Sequence, residues 1–392
     1  MPRHDIASGS LDGPIPRASA FSVPAVPGVL TADEVLATGR SLVRTQEASG
    51  AIGWPDGHVD AWNHVECAMA LSVCGLAEPA RRAYDWLRRS QRADGSWPRK
   101  TLGGMVTDPA ADSNQAAYVA VGVWHEFLVT GDEAFAAAMW PTVRRAIGFV
   151  LRLQAARGEI RWKREADGTP AEYALLTGCS SVHQSLRSAV ALAEHMGEPQ
   201  PDWELAADQL EHVVACHPEA FADKSEFAMD WYYPVLGGPV RGDAATARLA
   251  AQWHDFVVPG LGVRCVTEEP WVTGAETCEL VLVLDAIGER SRAVDLYAAV
   301  QHLRDHDGAY WTGWQFANKA HYPNERSSWT AAAVILAADA LASASDGAGL
   351  FREAGVRARA ARIADPAACG CSASGPVGQR RPADPPSATD PP

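Results

Sequence analysis

The chain has 392 residues, 47% of them hydrophobic, and a formal net charge of −14. That length suits one large domain or two ordinary ones, and the charge argues against a nucleic-acid surface or an anionic membrane, leaving neutral or cationic substrates. No apolar run reaches membrane-spanning length, and residues 1–28 carry Pro, Ser and Gly without the apolar segment of a secretory signal.

In chain order, residues 1–30 read as a flexible arm. Thr31-Ala32-Asp33-Glu34 is a capping-box start, and from there the pattern is helical nearly throughout. Six amphipathic, charged segments (32–47, 78–92, 132–156, 202–216, 241–257 and 290–306) alternate with six small-residue, apolar ones (59–75, 113–130, 179–196, 225–236, 274–288 and 325–345). A helix apolar on most sides is buried and an amphipathic one lies outside. A turn recurs after the outer helices, as in Gln46–Gly50, Gln91–Gly95–Trp97 and Gln154–Gly158–Trp162, with a weaker copy at Gln301–Gly308–Trp311. Recurrence at roughly fifty residues marks a repeat architecture. The expected fold is all-α: a closed (α/α)6 barrel of six helical hairpins forming one catalytic domain over 31–353. Residues 354–392, rich in Ala, Arg, Pro, Ser and Gly, read as a disordered tail.

The eight cysteines are scattered, mostly among apolar helical residues, which reads as reduced thiols in a cytoplasmic protein. Cys369 and Cys371 have no neighbouring His, so no metal site is expected there.

In such a barrel the inner helices share a direction, so their positive N-terminal ends meet on one face and favour carboxylates. Acids stand at five of the six junctions: Asp56 and Asp60, Asp112, Glu226 and Asp230, Glu276, and Glu325; the sixth has Cys179-Ser180-Ser181-Val182-His183. Any one of these acids can be an ordinary N-cap, and Asp112 and Cys179-Ser180 are read as caps. Glu276 is different, because Thr273 or Gly274 can already cap its helix. A carboxyl there, between Trp271 and the apolar turn that follows, is expected to have the raised pKa of a general acid. Asp60 opens an apolar helix beside Trp54, Asp56, Trp62, His64 and Glu66. His64 and His183 read more readily as satisfied core or pocket histidines. Loop tryptophans and tyrosines with carboxylates but no metal cluster suit a sugar, and paired carboxylates cleave glycosidic bonds. There is no Gly-x-Ser-x-Gly elbow. No cofactor is expected.

Two resemblances sharpen this. Leu87…Gln91…Asp94-Gly95-Ser96-Trp97 resembles the repeat of the squalene cyclases and protein prenyltransferase β-subunits, which are α-toroids. It implies the toroid, but the Asp-x-Asp-Asp cluster and the zinc set of those enzymes are missing. Thr130-Gly131-Asp132-Glu133 and Met139–Ala146 resemble the (α/α)6 glycosidases of the glucoamylase and debranching type. Over most of 32–345 the chain resembles the actinobacterial methylmannose polysaccharide hydrolases, endo-acting α-mannosidases. The segments that carry this are Val59–Leu71, Met229–Leu236 and Val272–Leu280. The resemblance places the catalytic acids at Asp60, position 63 and Glu276; position 63 here is Asn. The leading expectation is a cytoplasmic glycoside hydrolase, inverting as glycosidases on this barrel mostly are, with Glu276 as general acid and Asp60 as general base, assisted by Asn63 or Glu66. The expected substrate-binding residues are Trp54, Asp56, Trp62, His64, Glu66, Asp230, Trp231, Tyr232, Trp271, Trp311 and Glu325. Two other readings stay open: a prenyltransferase- or terpene-cyclase-like enzyme, and a sugar-binding toroid without turnover.

Overall fold

The computed structural model describes residues 22–352. The tail of 354–392 with Cys369 and Cys371, and the arm up to residue 21, lie outside the described residues. The arm ends earlier than expected: Val26 and Leu30 hydrogen-bond to each other and are buried in the core, because the chain doubles back just before Thr31.

Helix α1 (Ala32–Thr45) begins with the expected capping box, Thr31 and Glu34 each satisfying the other's backbone N–H. In α2 (Ala61–Val73) every residue is buried. In α3 (Ala77–Ser90) only Ala80, Ala83, Tyr84 and Leu87 are buried, one stripe at i, i+3, i+4 and i+7. That contrast of apolar inner helix and striped outer helix continues. The segment expected as one helix over 113–130 is broken at Tyr118 into α4 (Ser113–Ala117) and α5 (Val119–Thr130). Then follow α6 (Glu133–Leu151), α7 (Leu176–His195), α8 (Pro201–Cys216), α9 (Ala228–Leu236), α10 (Gly242–Phe256), α11 (Gly274–Ala286), α12 (Arg290–Ala299) and α13 (Ser328–Ala342). Helix α7 starts at Leu176, so Cys179 and Ser180 lie inside the helix and do not cap it. The junctions are less irregular than the sequence suggested: short antiparallel ribbons of two, three and five strands fill them.

The inner helices close a circuit, with α2 on α5, α5 on α7, α7 on α9, α9 on α11, α11 on α13, and α13 back on α2. Helices α3, α6, α8, α10 and α12 pack outside α2, α5, α7, α9 and α11, and α1 packs on α13. The chain is a helical toroid.

Hydrogen bonds join the starts of the inner helices around one rim. Asn63 Nδ2 donates to Ser328 Oγ (3.1 Å) between α2 and α13. Gly274 N donates to Thr312 O (2.9 Å) and Thr312 N to Glu325 O (3.0 Å), tying α11 to the approach to α13. Ala228 N of α9 donates to Cys265 O (2.9 Å), and Thr177 Oγ1 of α7 to Asp230 Oδ1 of α9 (2.6 Å). Ser113 N of α4 donates to Trp162 O (2.9 Å) on the approach to α7. Away from this rim Gln184 Nε2 donates to Leu350 O (3.0 Å), and Phe351, Leu236 and Leu282 line one small cavity.

The recurrent turn is a clamp between outer helices. Gln46 Nε2 donates to Gly50 O (3.0 Å) within its own turn and to Pro79 O (2.9 Å) in α3. Gln91 Nε2 bonds Gly95 O (3.0 Å) and Thr142 O (2.9 Å) of α6, and Gln154 Nε2 bonds Gly158 O (3.0 Å) and Ala206 O (3.3 Å) of α8. The weaker copy keeps the backbone turn, Asp305 N to Ala309 O (2.8 Å), but Gln301 bonds back to Tyr297 O instead. Gly95 sits at φ +94°, and a Cβ there would land on the Arg145 carbonyl. Gly95→Ala therefore adds backbone strain to a collision, and is expected to cost about 2–4 kcal/mol in denaturant unfolding.

Candidate active site

Asp60 is the N-cap of α2: its Oδ1 accepts from Asn63 N (2.9 Å) and its Oδ2 from the Trp54 indole Nε1 (2.5 Å). It is 6% exposed, and burial raises its pKa while the Trp54 and Asn63 donors oppose the rise. Trp54 stacks on His58, with ring centroids 5.7 Å apart, and meets Trp329 at 5.9 Å. Trp62 packs between Tyr118 (5.6 Å) and Trp329 (5.5 Å). The indole N–H of Trp62 is buried and unpartnered, and the Trp329 side chain reaches toward the Glu66 carboxyl.

Glu276 lies in the first turn of α11 and is 2% exposed. Thr273 does not cap the helix in the usual way; its hydroxyl donates to Glu276 Oε2. Burial pushes the Glu276 carboxyl up to about 7, against the opposing Thr273 hydroxyl and Cys265 thiol. A protonated carboxyl near neutrality is what a general acid needs.

One to two turns deeper lies a second pair. Tyr118 OH donates to Glu66 Oε1 (3.0 Å). Tyr233 OH donates to Glu279 Oε1 (2.7 Å), and Tyr232 OH to Glu279 Oε2. Burial pushes Glu66 up to about 8, with the Asp60 charge adding to it. Burial likewise drives Glu279 well above the carboxylate range, with Glu66 and Glu276 adding. Asp60, Glu66, Glu279 and Glu276 are thus electrostatic neighbours in a run beneath the rim. A cavity of ≈ 10 Å³, the room of about one water, lies between Glu66, Glu279, Tyr118, Tyr233 and Ser181. Ser181 Oγ has no partner, and the Trp329 side chain lies within reach of the Glu66 carboxyl.

These raised values have a sign. A carboxyl protonated in the folded state but ionised in the unfolded chain stabilises the fold fully below the unfolded pKa, near 4.5, and loses that contribution as pH rises through the folded pKa, near 8 for Glu66. Unfolding free energy is expected to fall between pH 5 and pH 8, by up to about 1.4 kcal/mol per pH unit for one such group, and melting temperature to fall with it. Glu66→Gln is expected to flatten this slope in a pH series of melting curves.

Not every expected residue reaches the mouth. His64 is fully buried and points outward: its Nδ1 accepts from Ile52 N (3.1 Å) and its Nε2 meets Ala83 O of α3 at 2.9 Å. Trp231 also faces outward, stacked on Phe256 at 5.2 Å with its indole donating to Arg248 O (3.1 Å). Asn63 is fully buried, its amide engaged by Ser328. His64, Trp231 and the Asn63 side chain therefore stand in the packing rather than in the mouth. Asp230 accepts from Thr177 of α7 and is 7% exposed. Tyr232 lies below the rim on Glu279. Asp56 is exposed and pairs with His58 Nδ1 at 2.6 Å. Trp271 is half-buried, its indole donating to Tyr322 O (2.6 Å), and Trp311 stacks on His321 at 4.3 Å. Glu325 is half-buried, and burial raises its pKa. Sequence reasoning did not single out Tyr118 or Glu279; Trp329 was legible only as one of several loop tryptophans, and Tyr233 only as part of its junction. The one signal was a charge, Glu279, inside an otherwise apolar helix.

Among curated proteins the chain is 56% identical over 332 residues to an MMP endo-(1,4)-3-O-methyl-alpha-D-mannosidase of Mycolicibacterium hassiacum, covering 84% of this chain and 92% of that one. The chain belongs to this endo-mannosidase family. It is a glycoside hydrolase by that membership, as the resemblance implied. No family model matches the chain. Among solved structures it is similar to a glycosidase in complex with glucose (TM-score 0.62, 15% identity, 81% of this chain and 96% of that one). It is also similar to a D-mannose isomerase (TM-score 0.59, 14% identity, 78% and 95%). These distant likenesses carry the fold alone. Among the described residues no helix is long and apolar enough to cross a membrane, no group of three or more His, Cys, Asp or Glu is placed to hold a metal, and the cysteines are free.

Proposed function

We propose that this protein hydrolyses internal α-linkages of a 3-O-methylated mannose polysaccharide in the cytoplasm, within one catalytic domain over 31–353 built as an (α/α)6 barrel of six hairpins. The observation that carries the reading is a pair of buried carboxyls with different surroundings at the starts of two inner helices. Glu276 meets the Thr273 hydroxyl and the Cys265 thiol, and burial pushes its carboxyl up to about 7, so that it is about half protonated at neutrality. Asp60 accepts two N–H groups, which favour its ionised form.

Glu276 protonates the leaving oxygen and Asp60 directs a water at the anomeric carbon from the opposite face, which inverts the configuration and sets the two carboxyls roughly 6.5–9.5 Å apart. Activity then needs Glu276 protonated and Asp60 ionised, so it falls as pH rises through about 7. Asn63 positions rather than reacts: its backbone N–H holds Asp60, and its amide binds Ser328, whose hydroxyl donates to Gly53 O (2.8 Å) beside Trp54. Trp54, Trp62 and Trp329 supply the sugar-facing aromatic wall, and Asp56, Trp271, Trp311 and Glu325 the outer mouth. Trp271→Ala is expected to weaken oligosaccharide binding by about 1–3 kcal/mol, on the scale of base–aromatic stacking, with a smaller loss of stability; affinity and melting measured on one sample separate the two.

The test is a glycan screen with wild type and Glu276→Gln side by side. Turnover of methylated mannan by wild type alone supports the reading. Binding without turnover by both points to a sugar-binding toroid.

A further inference from the structure

The strand that leads into Asp60 carries an apolar track away from it. His58–Val59 pairs antiparallel with Lys100–Leu102, which pairs antiparallel with Met105–Asp108. His58 stands opposite Leu102, and Leu102 opposite Met105. Directly opposed residues share a face of the sheet. His58, Leu102 and Met105 are therefore on one face, and Val59, which is buried, and Thr101 are on the other. Gly103 and Gly104, both at positive φ, make the tight turn between the strands.

The inner end of the track joins the site. His58 stacks on Trp54, and Trp54 donates to Asp60. Leu102 leans over Gly57, close enough that a Cβ there would sit 3.2 Å from its Cδ1. The outer end is open: Leu102 is 42% exposed and Met105 71%, while Val106, 51% exposed, lies opposite Thr101 on the other face of the ribbon. These make up half of the large apolar side chains that stand exposed among the described residues. Apolar side chains gathered on one exposed ribbon at a site mouth mark a contact surface.

We propose that this track is a subsite for the O-methyl groups of the substrate, taking the methylated faces of sugar residues that flank the cleaved bond. The inference rests on the endo-mannosidase reading above. Methylation removes a hydroxyl donor and adds apolar surface. Leu102 and the adaptable Met105 side chain gain contact with a methyl ether, whereas a free hydroxyl pressed against them loses its hydrogen bond to water. The track thereby favours methylated over unmethylated chains.

The test uses the double variant Leu102→Ser, Met105→Ser, whose changes are at exposed positions. The kcat/KM of wild type and variant is measured on a 3-O-methylated α-(1,4)-mannose oligosaccharide and on its unmethylated counterpart of equal length. The ratio of methylated to unmethylated kcat/KM is expected to fall roughly tenfold in the variant, mainly through KM. Direct titration of both oligosaccharides into the same double variant carrying Glu276→Gln should show the same loss of preference. An unchanged ratio, with wild type still preferring the methylated chain, overturns the inference and leaves the endo-mannosidase reading standing. If wild type cleaves neither oligosaccharide, that reading fails and the inference with it.

Discussion

Glu276→Gln is expected to lower kcat by roughly 10²–10⁴-fold, the usual contribution of a general acid. Glutamine keeps the volume and an acceptor for the Thr273 hydroxyl, but supplies no proton to a leaving oxygen. The fold should not suffer. A buried carboxyl with its pKa raised to about 7 gives up stability near neutrality that a neutral amide does not. Melting temperature at pH 7–8 should hold or rise while turnover collapses. Substrates with good leaving groups, which need little protonation, should lose least. Single-turnover kinetics with a natural oligosaccharide and an activated aryl glycoside checks both parts.

Asp60→Asn is the second large effect. Asparagine is as good an N-cap as aspartate and still offers an oxygen to Asn63 N or to the Trp54 indole, so stability is expected to change by less than about 1 kcal/mol. It cannot take a proton from water, and kcat is expected to drop by roughly 10²–10⁴-fold. Asp60→Ala should lose the cap as well, at a further cost of about 1 kcal/mol. The contrast separates the two jobs of one side chain: both variants are inactive, and only alanine is clearly destabilised in urea titrations.

The candidate acids Asp60 and Glu276 stand out in the sequence because each is at a helix start, where local signals are strongest and where the inner helices meet. The alternation of outer and inner helices was legible for a similar reason: the stripe in α3 and its absence in α2 are properties of short windows. What faced the axis was harder. Successive residues of a helix point about 100° apart, so Asp230, Trp231 and Tyr232 cannot all look into one mouth. Trp231 looks at α10 and Tyr232 at Glu279. On α2, Trp62 and Glu66 are four apart and share the inner face, whereas His64, two residues on from Trp62, faces α3. In helices buried on every side, periodicity does not mark which side is the axis. Tyr118 and Glu279 were missed for that reason. The ribbons in the junctions were missed because their strands are two to four residues long, too short to show alternation. The clamp turns were legible as Gln and Gly, but not their second bond to the next outer helix, which joins residues some fifty positions apart, as Gln91 and Thr142 are.

The most direct test of the account is to follow the cleavage of a purified 3-O-methylmannose polysaccharide by proton NMR and product size together. The account predicts that oligosaccharides of intermediate length appear first, and that their new reducing ends form as the β-anomer before mutarotation. It also predicts that both signals vanish with Glu276→Gln. An intact polysaccharide, release of monosaccharides only, or first products of the α-configuration would contradict it.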